Sequence, residues 1–152
     1  AMANTEYYTT YSGNNGSDAA GTSICPSNWH LPLGYKSTGE LDNQEASGTW
    51  RVGGFSYLDR KMGGTGTSYS TNSVTGASMS SLWRSFPNNF VYSGYWSGAR
   101  AYDRNSIGFY WSSSACNGSA AYRLYLFSSW VYPGTDDRDK YGVYTVRCVA
   151  GS

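Results

Sequence analysis

The run Ala121-Tyr122-Arg123-Leu124-Tyr125-Leu126-Phe127 constrains the fold of this chain most. Tyr122, Leu124 and Leu126 alternate with Arg123, Tyr125 and Phe127, the period of a strand whose two faces differ. Gly108-Phe109-Tyr110-Trp111-Ser112-Ser113-Ser114 precedes it. Val131, then Val143 to Val149, mark two further strands, and the turn-forming Pro133-Gly134 and a charged tip are expected to separate them. Apolar framework residues thus recur at fixed steps, with side chains of many chemical kinds between them. A strand scaffold carrying a varied face is a common way to build a binding surface.

Upstream, Glu6 to Tyr11 reads as an edge strand, and Ile24 to Pro32 as a compact apolar segment whose two prolines keep it from a central sheet position. Ser37 and Glu40 form a capping-box signature for a short helix ending near Ala46. Gly53 to Ser73 has little regular pattern except around Phe55, Tyr57 and Leu58, and Gly63-Gly64-Thr65-Gly66-Thr67 is expected to be a flexible surface loop, since it lacks the context of a phosphate loop. Thr75 to Phe86 predicts a second helix with Met79, Leu82, Trp83 and Phe86 on one buried stripe, ended by Pro87. Phe90 to Ser97 follows as a strand, and Arg100 to Ile107 as a polar connector. Two short helices followed by strands make an α+β plan.

With 152 residues the chain suits one domain, over 4–150, with Ala1-Met2-Ala3 read as a cloning remnant and any native targeting segment as removed. A net charge of +1 gives no case for nucleic acid or an anionic membrane, and no apolar run approaches the roughly 20 residues needed to span a bilayer. Only 14% of residues are charged, while Gly (19), Tyr (15) and Trp (6) are abundant, which suits an exported, turn-rich β domain. Three cysteines leave at least one unpaired or paired between chains. Pairing Cys25 with Cys148 is the favoured reading, which implies an oxidising compartment; two buried free thiols is the alternative.

Five segments stand in the order of a known family: Ile24-Cys25-Pro26-x-x-Trp29-His30-Leu31-Pro32, Phe90-Val91-Tyr92-Ser93-Gly94, Gly108-x-Tyr110-Trp111-Ser112-Ser113-Ser114, Ala121-Tyr122-x-Leu124 and Val146-Arg147-Cys148-Val149. Together, over about Tyr7 to Val149, they resemble the FISUMP-type domain of bacterial surface proteins. That domain is similar to the C-type-lectin-fold variable proteins of diversity-generating retroelements. The resemblance implies a C-type lectin fold with two short helices, twisted antiparallel sheets and paired N- and C-terminal strands, and it agrees with a Cys25–Cys148 bridge. It also implies a ligand face varied by adenine-directed mutagenesis of asparagine codons, which cannot yield Trp, Met, Gln, Lys or Glu. Between Ser112 and Arg147 only Trp130 and Lys140 belong to that excluded set. The implied face comprises Cys116, Asn117, Gly118, Ala120, Arg123, Tyr125, Phe127, Trp130, Tyr132, Thr135, Asp136, Asp137, Arg138, Asp139, Tyr141 and Tyr144. The segment Tyr141 to Thr145 is one residue longer than the family's usual spacing.

Candidate chemistry is sparse. His30 has no second histidine with which to form a ligand set. Formylglycine-generating enzymes share the implied fold class and use paired cysteines, but Cys116 has no partner once Cys25 and Cys148 are bridged, and no basic residue adjoins it. Asp136-Asp137-Arg138-Asp139-Lys140 lacks calcium-loop spacing and is expected to be a solvated hairpin tip. The Glu-Pro-Asn and Trp-Asn-Asp elements of calcium-dependent lectins are also absent. Tyr125, Phe127, Trp130 and Tyr132 are of the kind that anchors interfaces. The expected protein is therefore a non-enzymatic, monomeric surface domain without cofactor or metal, whose diversified face binds a macromolecule, a protein. A non-diversified surface or pilus-associated module, or a carbohydrate-binding module, is the alternative.

Period two places Leu124, Leu126 and Val131 inward, and Arg123, Tyr125, Phe127, Trp130 and Tyr132 outward. Truncation of any inward residue to Ala should cost about 2–5 kcal/mol by cavity formation, whereas the outward set should stay within about 0.5 kcal/mol. Urea denaturation of the single variants measures both.

Overall fold

The computed structural model describes residues 25–26, 29–34, 54–66 and 78–150. The expected strand Glu6–Tyr11 and helix Ser37–Ala46 lie outside them. The described part is α+β, with two short helices and antiparallel sheets. Its central unit is a three-stranded antiparallel sheet in the order β4 (Ile107–Ala115), β5 (Ala120–Phe127), β6 (Val131–Asp139). Early in the chain, β1 (Trp29–His30) pairs antiparallel with β7 (Val149–Ala150), and β2 (Tyr95–Ser97) with β3 (Arg100–Tyr102).

The alternation along β5 is realised. Leu124, Leu126 and Val131 are fully buried on one side of the sheet, where they join Tyr110, Phe90, Phe55, Met79 and Trp83. Both helices pack on this side. In α1 (Phe55–Lys61), Phe55 and Asp59 are buried, and Leu58 and Met62 cover the cluster's margin. The helix ends in a Schellman pair: Gly64 donates to the Asp59 carbonyl (2.9 Å) and Gly63, at φ 86°, to that of Arg60 (3.0 Å). The expected flexible loop is therefore corrected at its start. Gly63 to Gly66 wraps the helix end, because the buried Asp59 carboxylate holds the Gly66 N–H (2.9 Å) and the Trp83 indole N–H (2.9 Å).

The second helix, α2 (Met79–Arg84), is shorter than the predicted 75–86 span. Met79 and Trp83 are buried and Leu82 packs beside them, but Phe86 is 87% exposed. Ser85 already leaves the helix in an extended conformation, so Phe86 falls off the stripe. Residues 90–94 form no ladder strand, since the Ser93 N–H turns back to the Val91 carbonyl (2.9 Å) and Gly94 stands at φ 65°; only Tyr95 to Ser97 join a ladder. The expected polar connector instead contains the return strand β3. Gly98, at φ 56°, opens the two-residue turn between them, the pattern of a type II′ hairpin.

Pro133 and Gly134 do not separate two strands. They lie inside β6, where the register with β5 shifts between Arg123 and Tyr125. This irregularity leaves the Pro133 carbonyl to the Ser56 hydroxyl (2.9 Å). Gly134 stands at φ 86°, and a Cβ there would come 2.9 Å from Gly34 Cα. The charged tip is likewise corrected: Asp136 to Asp139 continue β6 beside Arg123, Tyr122, Ala121 and Ala120. The chain turns only at Lys140 to Gly142 and returns past β2 and β4, through bridges from Val143 to Trp96 and from Thr145 to Tyr110.

A second cluster lies on the other side of the sheet. Trp111 and Ala121 pack there with Leu31 and Cys25, and Tyr144, Val146 and Cys148 close over them. Cys25 and Cys148 form a disulfide, with Cα atoms 5.7 Å apart across 123 positions. In the chain-entropy model such a loop contributes about 4–5 kcal/mol. The serine run of β4 is buried because segment 31–34 lies beside it. The Ser113 N–H donates to the Pro32 carbonyl (2.9 Å) and the Gly34 N–H to the Ser114 hydroxyl (2.8 Å), while Ser112 donates to the Tyr122 carbonyl (2.7 Å).

Asp59 links the two helices through charge-assisted bonds made without water. Asp59→Ala would leave the Trp83 indole and Gly66 donors buried and unpaired, and should cost about 2–3 kcal/mol in urea denaturation. Asp59→Asn, which keeps one acceptor oxygen, should cost less.

Candidate functional site

The sheet side that faces away from the helices changes character along its length. At the disulfide end it is covered. Beyond Trp111 it carries Phe109, Arg123, Tyr125, Phe127, Trp130, Tyr132 and Asp136, with Tyr144 folded over from the return segment. Ring contacts run continuously across much of it. Tyr102 stacks on Tyr95 (5.5 Å between centroids), Tyr95 meets Phe109 (5.8 Å), Phe109 meets Tyr125 (4.9 Å), and Tyr125 stacks on Tyr132 (5.4 Å). Phe127 and Trp130 form a further pair at 5.0 Å beside the β5–β6 turn. The last two stacking partners are register neighbours, since Tyr125 faces Tyr132 directly.

Arg123 holds the middle of this surface, on the outer side as expected, but the expectation that its truncation costs within about 0.5 kcal/mol is corrected by its burial. It is only 3% exposed. Its Nε donates to Asp136 Oδ2 (2.6 Å), and its guanidinium carbon lies 3.8 Å from the Phe109 ring centre and 4.3 Å from that of Tyr144. A planar cation can be buried this way because its faces meet π-systems while its edge meets a carboxylate. Arg138 approaches the other Asp136 oxygen at 3.6 Å and stays 55% exposed, a weak outer contact. Burial, and next the Asp136 carboxylate, push the Tyr125 phenol above its usual value, so it remains a neutral donor at neutral pH.

The sixteen residues expected on one face fall into several groups. Arg123, Tyr125, Phe127, Trp130, Tyr132, Asp136 and Arg138 share the outer side with Tyr144. The four outer rings of β5 and β6 are half-buried, so the expectation of stability changes within about 0.5 kcal/mol is corrected upward, to about 0.5–1.5 kcal/mol for each lost ring pair plus the lost burial. Asp137 and Asp139 lie opposite Tyr122 and Ala120, on the other side of the sheet; both are exposed, while Ala120 is buried. Thr135 sits in the irregular part of β6. Cys116, Asn117 and Gly118 form the β4–β5 turn, where Asn117 Oδ1 accepts from the Ser119 and Ala120 N–H groups (2.9 Å each). Lys140, 5% exposed, ties that turn down by donating from Nζ to the Gly118 carbonyl (3.1 Å). Burial lowers its pKa. Tyr141 is 78% exposed beyond the turn.

Phe109, Tyr95, Tyr102 and Trp96 were not in the expected set. Phe109 was legible, since period two from Tyr110 places it with Trp111 on the outer side. The hairpin rings were hidden because the only signal for β2–β3 is the short Gly98-Ala99 step. Trp96, 50% exposed, donates its indole N–H to the Gly98 carbonyl (3.0 Å). It borders a cleft of ≈ 340 Å³ with Tyr95, Arg104, Tyr144 and Thr145.

Among the described residues, no three His, Cys, Asp or Glu side chains come together as a metal site would require, and no helix is long and apolar enough to cross a membrane. Compared with known proteins, the chain matches no family model, no curated protein and no solved structure.

Arg123→Ala should cost about 3 kcal/mol, at the low end for a broken buried pair because Asp136 keeps some solvent. Arg123→Lys, which keeps the charge and loses the flat stack, should cost about 1–2 kcal/mol. Thermal and urea unfolding of the two variants checks the ranking.

Proposed function

We propose that this chain is an exported C-type-lectin-fold domain that displays a diversified face and binds a protein ligand without catalysis. The observation that carries the reading is the ring-to-ring surface from Tyr102 through Tyr95, Phe109 and Tyr125 to Tyr132, laid on a sheet whose other side packs a core against both helices. Half-buried aromatics fixed by their neighbours lose little rotamer freedom on binding, which is what an interface anchor needs. The pairing of β1 with β7, the Cys25–Cys148 bridge and the two short helices support the fold reading. The disulfide is also consistent with export.

Division of labour within β5 and β6 supports diversification. Leu124, Leu126 and Val131 hold the core from one side, and Arg123 with Asp136 clamps the strands from the other. Between these fixed points Tyr125, Phe127, Tyr132 and Arg138 project where the backbone is already determined. Each of these four residue types is reachable from an asparagine codon by changes at adenine.

The expected test outcome needs no ligand. A displayed library randomised together at Tyr125, Phe127, Tyr132 and Arg138 should stay largely protease-resistant, while one randomised at Leu124, Leu126 and Val131 should not. Loss of folding in most members of the first library would sink the reading. A reverse transcriptase beside the gene, with a template repeat matching codons 108–149 except at adenines, would supply the diversification itself.

A further inference from the structure

The helical side of the molecule carries a second feature that the aromatic face does not use. Arg84, at the end of α2, lies 4.0 Å from the Tyr92 ring centre. Arg147 joins it from the C-terminal segment, where its guanidinium lies 4.0 Å from the Phe90 ring centre. Among the described residues, neither arginine has an ion-pair partner. In a chain whose net charge is +1, this is a local concentration of unneutralised positive charge.

At its centre is a cleft of ≈ 270 Å³ lined by Arg84, Phe90, Val91, Tyr92 and Asn105. Its walls are rigid for identifiable reasons. The Tyr110 hydroxyl donates to the Val91 carbonyl (2.9 Å) and accepts from the Val91 N–H (3.0 Å), pinning this segment. The Tyr92 hydroxyl shares a 2.8 Å hydrogen bond with the buried Ser80. The Arg84 guanidinium carbon lies over the Tyr92 ring, 4.0 Å from its centre. The Asn105 N–H donates to the Tyr92 carbonyl (3.0 Å), which sets that residue at the cleft edge in a left-handed conformation (φ 68°). A guanidinium held against a ring still has in-plane N–H donors for a planar or tetrahedral oxyanion.

We propose that this cleft binds an anionic ring of an acidic polysaccharide, with Arg84 on its carboxylate or sulfate oxygens and the Asn105 amide on a neighbouring hydroxyl. The size is at the small end of ligand pockets, about 300–1,000 Å³, and suits one ring of a longer chain. An amide beside the guanidinium pairs with a hydroxyl next to the anionic group, a combination that sugars carry and Asp or Glu side chains do not. Arg147, over the Phe90 ring, extends the positive potential to a charge on an adjacent ring. The site lies on the opposite side of the sheet from the aromatic surface and does not depend on that reading.

The test is binding of the whole chain at low salt to immobilised polygalacturonate and dextran sulfate, with neutral dextran and poly-glutamate as comparisons. Binding to at least one anionic glycan is expected, at least tenfold tighter than to dextran or poly-glutamate and weakening as salt rises. Polygalacturonate alone would identify a carboxylate site and dextran sulfate alone a sulfate site. Arg84→Gln should lose at least tenfold, Arg84→Lys an intermediate amount, and Lys61→Gln on the exposed face of α1 should lose nothing. Arg84 is exposed, so a matching melting temperature shows that the variants fold. No binding to either glycan, equal binding to poly-glutamate, or an Arg84→Gln variant that binds as well as the parent would each overturn the proposal.

Discussion

An arginine buried in the middle of a sheet has few ways to be stable, and Arg123 uses all of them together. Its charge meets Asp136 on β6, one face of its plane meets Phe109 on β4, and Tyr144 of the return segment also lies against its plane. Each contact comes from a different part of the chain, so this one side chain fixes how three strands and the C-terminal return sit together. Water cannot replace any of the three, since only 3% of the residue is exposed. Removal of one partner leaves a charge desolvated, which is why such a cluster enforces its own geometry.

What the sequence made legible was whatever depends on period alone. Leu124, Leu126 and Val131 alternate with polar or aromatic neighbours, and all three are in the core. Cys25 and Cys148, each in an apolar context near the chain ends, are bridged. The failures came where a local signal had two meanings. Pro133-Gly134 signals a turn, but a strand irregularity accepts the same residues, and only the contact with Phe55 and Gly34 decides between them. Five charged residues in a row signal solvent, yet Asp136 is claimed by Arg123 across the ladder. Phe86 has the right spacing for the stripe of Met79 and Trp83, but Ser85 has already left the helix. The C-terminal end of α1 was opaque because its organiser, Asp59, is a buried carboxylate, and nothing in the residue string distinguishes it from a solvated one.

The sheet consequently presents two sides of different chemistry. One is aromatic, with the Arg123–Asp136 pair set among the rings. The other carries Arg84 and rests on side chains pinned to the core, from Ser80 through Tyr92 to Arg84 and from Tyr110 to Val91.

The disulfide has a bearing on how the protein withstands proteolysis. Cys25 and Cys148 span 123 positions, which takes in almost every turn described above. A protease that cuts once in any of those turns opens the chain without dividing it, since both pieces remain joined through sulfur. The nicked molecule keeps its strands at high effective concentration and can hold its form. Only a second cut or a reductant releases a fragment, so a single encounter with a protease is survivable.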